Sequence, residues 1–100
     1  MSDAVVPARP VNREEFSRAL IEFIRGPLAQ RHSRLREPIE LAGSTPLFDT
    51  GIIDSLGIID LLAFVEEVIG ARVPIRMVDM RYFGTVDRIA RAFARHPEDL

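Results

Sequence analysis

The sequence predicts an all-α domain, a small bundle of three long helices and one short helix with a long connection between the first two. Two observations support this fold class. Apolar residues recur at three- and four-residue spacing in several segments, and no segment alternates as a half-buried strand would. Proline and glycine fall mostly between the periodic segments. A chain of 100 residues, 47% of them hydrophobic and 28% charged, fits one domain with a modest core.

The first helix is predicted to begin after Asn12, because asparagine is a common N-cap and Glu15 follows three positions later. Its apolar stripe consists of Phe16, Leu20, Phe23 and Ile24. We expect the helix to end near Gly26-Pro27, since proline disfavours helical geometry in the residue before it. Residues 28–36 are charged and weakly patterned, and we expect a loop with some helix there.

The predicted domain spans residues 12–96 and is flanked by two tails. Residues 1–11 contain two prolines and no hydrophobic period, as is typical of a mobile tail, and residues 97–100 form a short C-terminal tail. The N-terminus lacks the basic start and apolar core of a signal peptide, and no run of 18 apolar residues could span a membrane. With no cysteine, the chain is compatible with a reducing compartment. We therefore expect a cytoplasmic monomer.

The second helix follows the most informative stretch of the chain, in which Asp54 and Ser55 precede a long apolar run. Aspartate is a preferred N-cap, so Ser55 should lie at or near the first helical position, where an attached anion would be favoured electrostatically. Gly51 suits a positive backbone angle just before the helix. The core-facing stripe is predicted to be Ile58, Leu61, Leu62, Val65 and Ile69. A second apolar stripe next to Ser55 consists of Leu56, Ile59 and Ala63, with Asp60 beside it.

The last two helices follow Gly70. Apolar anchors around Pro74 are predicted at Val73, Ile75, Val78 and Met80. A short helix is expected near residues 77–82, with Tyr82 and Phe83 closing the core beneath it. Thr85 is a suitable cap for the final helix, which we expect to end around residues 96–97.

The segment LFDTGIIDSLG, followed by an apolar helix dotted with acids, resembles the modification segment of acyl and peptidyl (aminoacyl) carrier proteins. In that family the serine of an Asp-Ser-Leu motif bears a 4′-phosphopantetheine arm. The resemblance implies that Ser55 is the attachment site, with Asp54 beside it, and that the chain is a non-enzyme carrying an acyl or aminoacyl thioester. It covers about residues 12–96, and its specific part is the central segment.

The resemblance also implies a set of partners. These are a phosphopantetheinyl transferase, an acyl- or aminoacyl-activating ligase or synthase, and a downstream acyl-accepting enzyme. The residues expected to contact them are Leu56, Ile59, Asp60, Ala63, Val78 and Met80.

Within the family, the pattern is nearest to D-alanyl carriers and to stand-alone carriers that serve amino-acid ligases or polyketide enzymes. Ile52 and Ile53 both stand between Gly51 and Asp54, where the fatty-acid type usually has one residue. Gly57 replaces an acid that often follows Asp-Ser-Leu. The short-helix region also carries arginines where the fatty-acid type tends to be acidic. The expected cargo is therefore an amino acid or a short acid.

Charge and composition weigh against several other classes of function. The net charge is −2, all thirteen basic residues are arginine, and no contiguous basic run suggests nucleic-acid binding. Two histidines without cysteine make no convincing metal site. The letters IDSL resemble GDSL-type hydrolases, but such an enzyme needs an aligned base, for which the chain offers only the distant His96. The main alternative is a non-covalent helical adaptor, in which Leu56 and Ile59 bind a partner groove and Ser55 is only structural.

Overall fold

The computed structural model of the protein describes residues 11–32 and 40–94. Its α-helices are α1 (Arg13–Phe23), α2 (Ala29–His32), α3 (Gly57–Ile69), α4 (Met80–Phe83) and α5 (Val86–Phe93). A π-helical turn (Ile24–Leu28) joins α1 to α2, and a 3-10 turn (Ile75–Met77) precedes α4. Because α1, the π turn and α2 are continuous, the described residues form four main helical segments and no strand. The predicted small all-α bundle is confirmed.

The predicted start of the first helix is confirmed. The Asn12 side-chain oxygen accepts hydrogen bonds from the backbone N–H groups of Glu14 at 2.9 Å and Glu15 at 3.1 Å. These bonds satisfy donors that the first helical turn leaves without partners. Val11, which we assigned to the mobile tail, is instead buried in the core. The ordered domain therefore begins at least one residue earlier than predicted, and residues 1–10 lie outside the described part of the chain.

The predicted end of the first helix at Gly26-Pro27 is wrong, because the chain continues helically through Pro27. Proline has no N–H to donate to the preceding turn, which an α-helix would require. The wider π turn accommodates it, and the Ala29 N–H then donates to the carbonyls of Gly26 and Ile24. Burial of Ile24 and Leu28 in the core favours this continuation. Residues 33–36, the rest of the segment expected to be mainly loop, lie outside the described residues.

The core lies between the long helices and the connection that leads into α3. Its largest fully buried side chains are Phe16, Leu20, Ile24, Leu28, Leu47, Ile53, Leu61, Val65, Ile69, Phe83, Ile89 and Phe93. The half-buried ring of Phe23 stacks on Phe64 of α3, with ring centroids 4.3 Å apart and planes inclined by 5°. Such an aromatic pair contributes roughly 0.5–1.5 kcal/mol beyond its buried area. It joins the first helical segment to α3.

The described part of the long connection is fixed to the last two helices by backbone hydrogen bonds. The Leu47 N–H donates to the Gly84 carbonyl, and the Asp87 N–H donates to the Gly43 carbonyl, both at 2.9 Å. Gly51 has a φ of 81°, which confirms the positive backbone angle expected there. These contacts fix the chain immediately before α3.

The segment between α3 and α4 returns toward the start of α3. Gly70, in the left-handed conformation with a φ of 67°, ends α3. The Glu66 carboxylate then accepts a hydrogen bond from the Val73 N–H at 2.7 Å. Ile75, predicted to be an anchor, is 89% exposed, and Met77 is buried in its place. The anchor prediction was wrong at Ile75, because the 3-10 turn directs Met77 inward, and at Met80, which is 43% exposed.

The last helix is capped as predicted. The Thr85 hydroxyl accepts a hydrogen bond from the Arg88 N–H at 3.0 Å. The helix ends at Phe93, earlier than the expected residues 96–97, because Ala94 has an extended backbone with a ψ of 145°. Residues 95–100, including the predicted C-terminal tail, lie outside the described part. No helix among the described residues is long and apolar enough to cross a membrane.

Candidate functional site

Ser55 lies in a short turn that Asp54 holds. One carboxylate oxygen of Asp54 accepts hydrogen bonds from the Leu56 N–H at 3.1 Å and from the Gly57 N–H at 2.8 Å. Helix α3 begins at Gly57, so Ser55 lies near the first helical position, as predicted, and precedes it by two residues. The helix is tightened at its start by a hydrogen bond from the Ile59 N–H to the Leu56 carbonyl at 3.2 Å. Asp54 therefore accepts hydrogen bonds from backbone N–H groups at the start of α3, as predicted. These bonds span the turn that contains Ser55.

The backbone just before this turn is anchored in the core. Ile52 and Ile53 are both buried, and the Ile53 N–H donates to the Leu47 carbonyl at 2.9 Å. Ser55, two residues further on, is exposed, and its side chain forms no hydrogen bond with any described residue. The hydroxyl is thus accessible from solvent and borne on a backbone fixed on both sides.

An apolar cleft opens beside Ser55, with a cavity volume of about 420 Å³. The buried Ile53 and Phe83 form its floor. The other residues that line it are Phe48, Asp54, Ser55, Ile58, Val78, Asp79 and Met80. The cleft therefore lies between the start of α3 and the residues that lead into α4.

The α4 side of the cleft is ordered by Asp79. Its carboxylate accepts hydrogen bonds from the Arg81 N–H at 2.9 Å and from the Arg81 guanidinium at 2.9 and 3.3 Å. The side-chain hydrogen bond with Arg81 holds the pKa of the Asp79 carboxyl below its ordinary value. The same guanidinium lies 5.4 Å from the centroid of the Tyr82 ring. Arg88 of α5 donates to the carbonyl of Met80, the first residue of α4, at 3.0 Å, which joins this same end of α4 to α5.

Sequence reasoning did not identify Asp79 and Arg81 as part of the site. A signal was present, because aspartate directly before Met-Arg-Tyr-Phe is a helix-capping type. The position of Asp79 in the cleft that contains Ser55 depends on how the segment after α3 returns across the domain, and this is not encoded by local spacing.

The structure divides the predicted partner-contacting residues between two places. Val78 and Met80 line the same cleft as Ser55. Asp60 and Ala63 instead line a second depression of about 190 Å³ with Phe23, Phe64 and Glu67. Exposed members of the predicted set are Leu56 (63%), Ile59 (62%), Met80 (43%) and Ala63, whereas Asp60 and Val78 are half-buried.

No metal-binding cluster accompanies Ser55 in the part of the chain that the structure describes. Among residues 11–32 and 40–94, no three His, Cys, Asp or Glu side chains come together as a metal site. Searches of protein-family models, curated proteins and solved structures find no match for the chain. The case for a function therefore depends on the serine turn, the cleft and the surfaces around them.

Proposed function

We propose that this protein is a carrier that holds an acyl or aminoacyl group as a thioester on a 4′-phosphopantetheine arm attached to Ser55. One observation carries the proposal: an exposed serine hydroxyl lies on a fixed turn at the edge of an apolar cleft. The choice of 4′-phosphopantetheine as the attached arm comes from the resemblance of the surrounding sequence to carrier proteins.

The residues around Ser55 fit an attached arm. The hydroxyl is exposed, so an enzyme can reach it without unfolding the turn. The adjoining cleft of about 420 Å³ offers apolar surface along which a flexible chain can lie. The carboxylate of Asp54 faces backbone amides of the turn, which offsets part of its repulsion of a phosphodiester. The hydrogen bonds that hold the turn are made by Asp54 and backbone amides, so substitution of the Ser55 oxygen removes none of them.

Attachment requires only one group from this chain. The Ser55 oxygen forms a bond to the pantetheine-side phosphorus of coenzyme A, the pyrophosphate bond breaks, and adenosine bisphosphate leaves. The hydroxyl proton passes to a base that the transferase provides. When bound, the arm supplies a terminal thiol, which a chain without cysteine cannot supply itself.

The proposed partners act on this arm in turn. They are the phosphopantetheinyl transferase, an acyl- or aminoacyl-activating ligase or synthase, and an enzyme that accepts the acyl group. Leu56, Ile59 and Met80 supply exposed apolar surface near the attachment point for these complexes. The protein itself performs no catalysis in this scheme.

Intact-mass measurement tests the proposal directly. Purified protein is incubated with a phosphopantetheinyl transferase and coenzyme A, and the wild type should gain the mass of one phosphopantetheinyl group. Ser55→Ala should gain none. Ser44→Ala is the matched control, because Ser44 is also exposed in a loop and its loss should leave modification intact. An unmodified wild type, or equal modification of Ser55→Ala, would contradict the carrier function.

The exposed side chains of Leu56 and Ile59 also support a second candidate, a non-covalent helical adaptor. Such a module binds a groove of its partner through α3, and its serine has no chemical role. The two functions differ in their response to Ser55→Ala. Partner function survives this change in an adaptor and is lost in a carrier, whereas Ile59→Ser weakens both.

A further inference from the structure

The two walls of the cleft are joined by a chain of backbone hydrogen bonds. One wall carries Ser55, and the other carries Met80 of α4. The Ile53 N–H donates to the Leu47 carbonyl at 2.9 Å, and the Leu47 N–H donates to the Gly84 carbonyl at the same distance. The Gly84 N–H in turn donates to the Met80 carbonyl at 3.0 Å. Gly84, which directly follows α4, therefore links the serine side of the cleft to α4.

The α4 wall depends on contacts from outside α4 for its position. A helix of only four residues is not stable alone, because forming its first turn costs more than its few hydrogen bonds return. Phe83 anchors one end in the core, where its side chain is fully buried. At the other end, the guanidinium of Arg88 donates to the Met80 carbonyl at 3.0 Å. Met80 itself is 43% exposed, so burial does little to hold this end of α4.

Gly84 leaves the space through which Arg88 reaches this carbonyl. A methyl group at position 84 would lie 3.0 Å from a guanidinium nitrogen of Arg88 and 2.5 Å from the Met80 carbonyl oxygen. The φ of Gly84 is −67°, which any residue can adopt, so its backbone conformation does not require glycine. Glycine is needed there for room. The glycine and the arginine thus act together on one carbonyl of α4.

The stability of α5 does not explain an arginine at position 88. Arg88 is the third residue of α5, where the positive end of the helix dipole disfavours a cation. Its backbone N–H is bonded to the Thr85 hydroxyl, so its side chain takes no part in that cap. The bond to the Met80 carbonyl, in contrast, requires a long side chain that ends in N–H donors. This contact with α4 is therefore the physical reason for arginine here.

We propose that Arg88 is a positioning residue of the carrier site. Through the Met80 carbonyl it holds α4, and with it the Met80 side chain, as a wall of the cleft that Ser55 shares. The inference rests on the proposed carrier function and adds a residue outside the attachment segment. When the Arg88 donor is lost, α4 moves away from the cleft more often, so the cleft shields a group on the arm less well.

Hydrogen exchange tests the contact itself on the unmodified protein. Arg88→Met keeps an apolar stem but removes every donor of the side chain. In this variant the Gly84 amide should exchange about fivefold faster than in the wild type, since one net hydrogen bond contributes about that factor to an opening equilibrium. The Gly57 amide, which is bonded to Asp54, should exchange at an unchanged rate. Arg88→Lys retains a charged donor and should restore slow exchange at Gly84.

A fluorescent arm tests the positioning role. Coenzyme A with a dansyl group on its thiol serves as the substrate of the transferase, and intact mass confirms that each protein carries one label. Acrylamide quenching then measures how far the apolar dye is shielded. Arg88→Met should be quenched about two- to threefold more strongly than the wild type, whereas Arg88→Lys should match the wild type. Arg91→Met is the matched control, because Arg91 is exposed on the same helix and lies outside the cleft lining.

Each measurement can overturn the inference. If Gly84 exchanges equally fast in the wild type and Arg88→Met, or if Gly57 accelerates as much as Gly84, Arg88 does not hold α4 in particular. If Arg88→Lys exchanges like Arg88→Met, the donor is not what holds α4. If the dye is quenched equally in the wild type and Arg88→Met, or as strongly in Arg91→Met, the contact has no role at the cleft.

Failure of the transferase to label the wild type at Ser55 is a different outcome. It removes the proposed function itself. The exchange rates are measured on unlabelled protein, so they still decide whether Arg88 holds α4.

Discussion

Replacing Asp54 with alanine should loosen the turn that presents Ser55. The change removes the acceptor for two backbone donors, the Leu56 N–H at 3.1 Å and the Gly57 N–H at 2.8 Å. Loss of a side-chain acceptor at a helix start costs about 1 kcal/mol, within a range of roughly 0.5–2. For a domain of this size, 1 kcal/mol lowers Tm by about 4–8 °C. We therefore expect Asp54→Ala to unfold several degrees below the wild type.

Asp54→Asn separates the hydrogen bonds from the charge. Asparagine retains an oxygen acceptor for both amides, so this variant should keep most of the stability that Asp54→Ala loses. Urea denaturation followed by circular dichroism gives the free energies of unfolding of all three proteins. A second measurement, the rate of transferase modification at Ser55, should fall in the same order. If Asp54→Ala and Asp54→Asn lose equal stability, or if neither loses any, the Asp54 side chain does not hold the turn through these two hydrogen bonds.

Three further changes test other contacts near the site. Gly84→Ala places a methyl group 2.5 Å from the Met80 carbonyl oxygen, and we expect urea denaturation to show a loss of about 1–3 kcal/mol. Glu66→Ala leaves the nearly buried Val73 N–H without its 2.7 Å acceptor, so hydrogen exchange at that amide should accelerate. The lowered pKa of Asp79 means that its contribution to stability is present above its ordinary pKa and is lost as pH falls through the lowered value. Tm should accordingly fall more between neutral pH and a pH below the ordinary pKa of an aspartate in the wild type than in Asp79→Asn.

Each of these changes has an internal control. Gly26→Ala meets no atom within 4 Å and lies in a helical segment, so it should not destabilise the protein as Gly84→Ala does. Glu66→Gln keeps an acceptor and should protect the Val73 amide. For the pH dependence, Asp79→Asn is itself the control for the wild type, because it preserves a capping oxygen while removing the charge. If a change and its control give the same free energy of unfolding, exchange rate or pH dependence of Tm, the contact that the pair tests does not contribute as proposed.

Local capping could be predicted from the sequence, because it depends on residues two or three apart. Asn12 and Thr85 both accept the amides expected of them. The prediction failed at Pro27, since the rule that proline ends a helix assumes α-helical spacing. Burial of Ile24 and Leu28 favours a π turn in which the missing donor is tolerated. Tertiary packing thus overrode a local rule that was sound for an isolated helix.

The candidate site was predictable only in part. Ser55 and the adjacent hydrogen-bond acceptor Asp54 could be predicted as candidates from the residue types at the start of an apolar helix. The cleft did not, because it forms where Phe48 of the long connection meets Val78 and Phe83 from beyond α3. Spacing also could not tell which residue after Pro74 faces inward, and Ile75 was assigned to the core in error. Contacts between segments distant in sequence, especially across loops, leave no periodic signal.

Under the proposed carrier function, the exposed apolar side chains beside Ser55 serve complexes that must form and then dissociate. Leu56 and Ile59 remain 63% and 62% exposed, so they contribute little to folding. Burying each in a partner would contribute roughly 1.5–3 kcal/mol. Micromolar affinity corresponds to about 8 kcal/mol, so two such side chains provide a large share of a weak complex without making it permanent. A carrier that passes one arm between several enzymes requires this balance, because a tighter interface would hold it on the first partner.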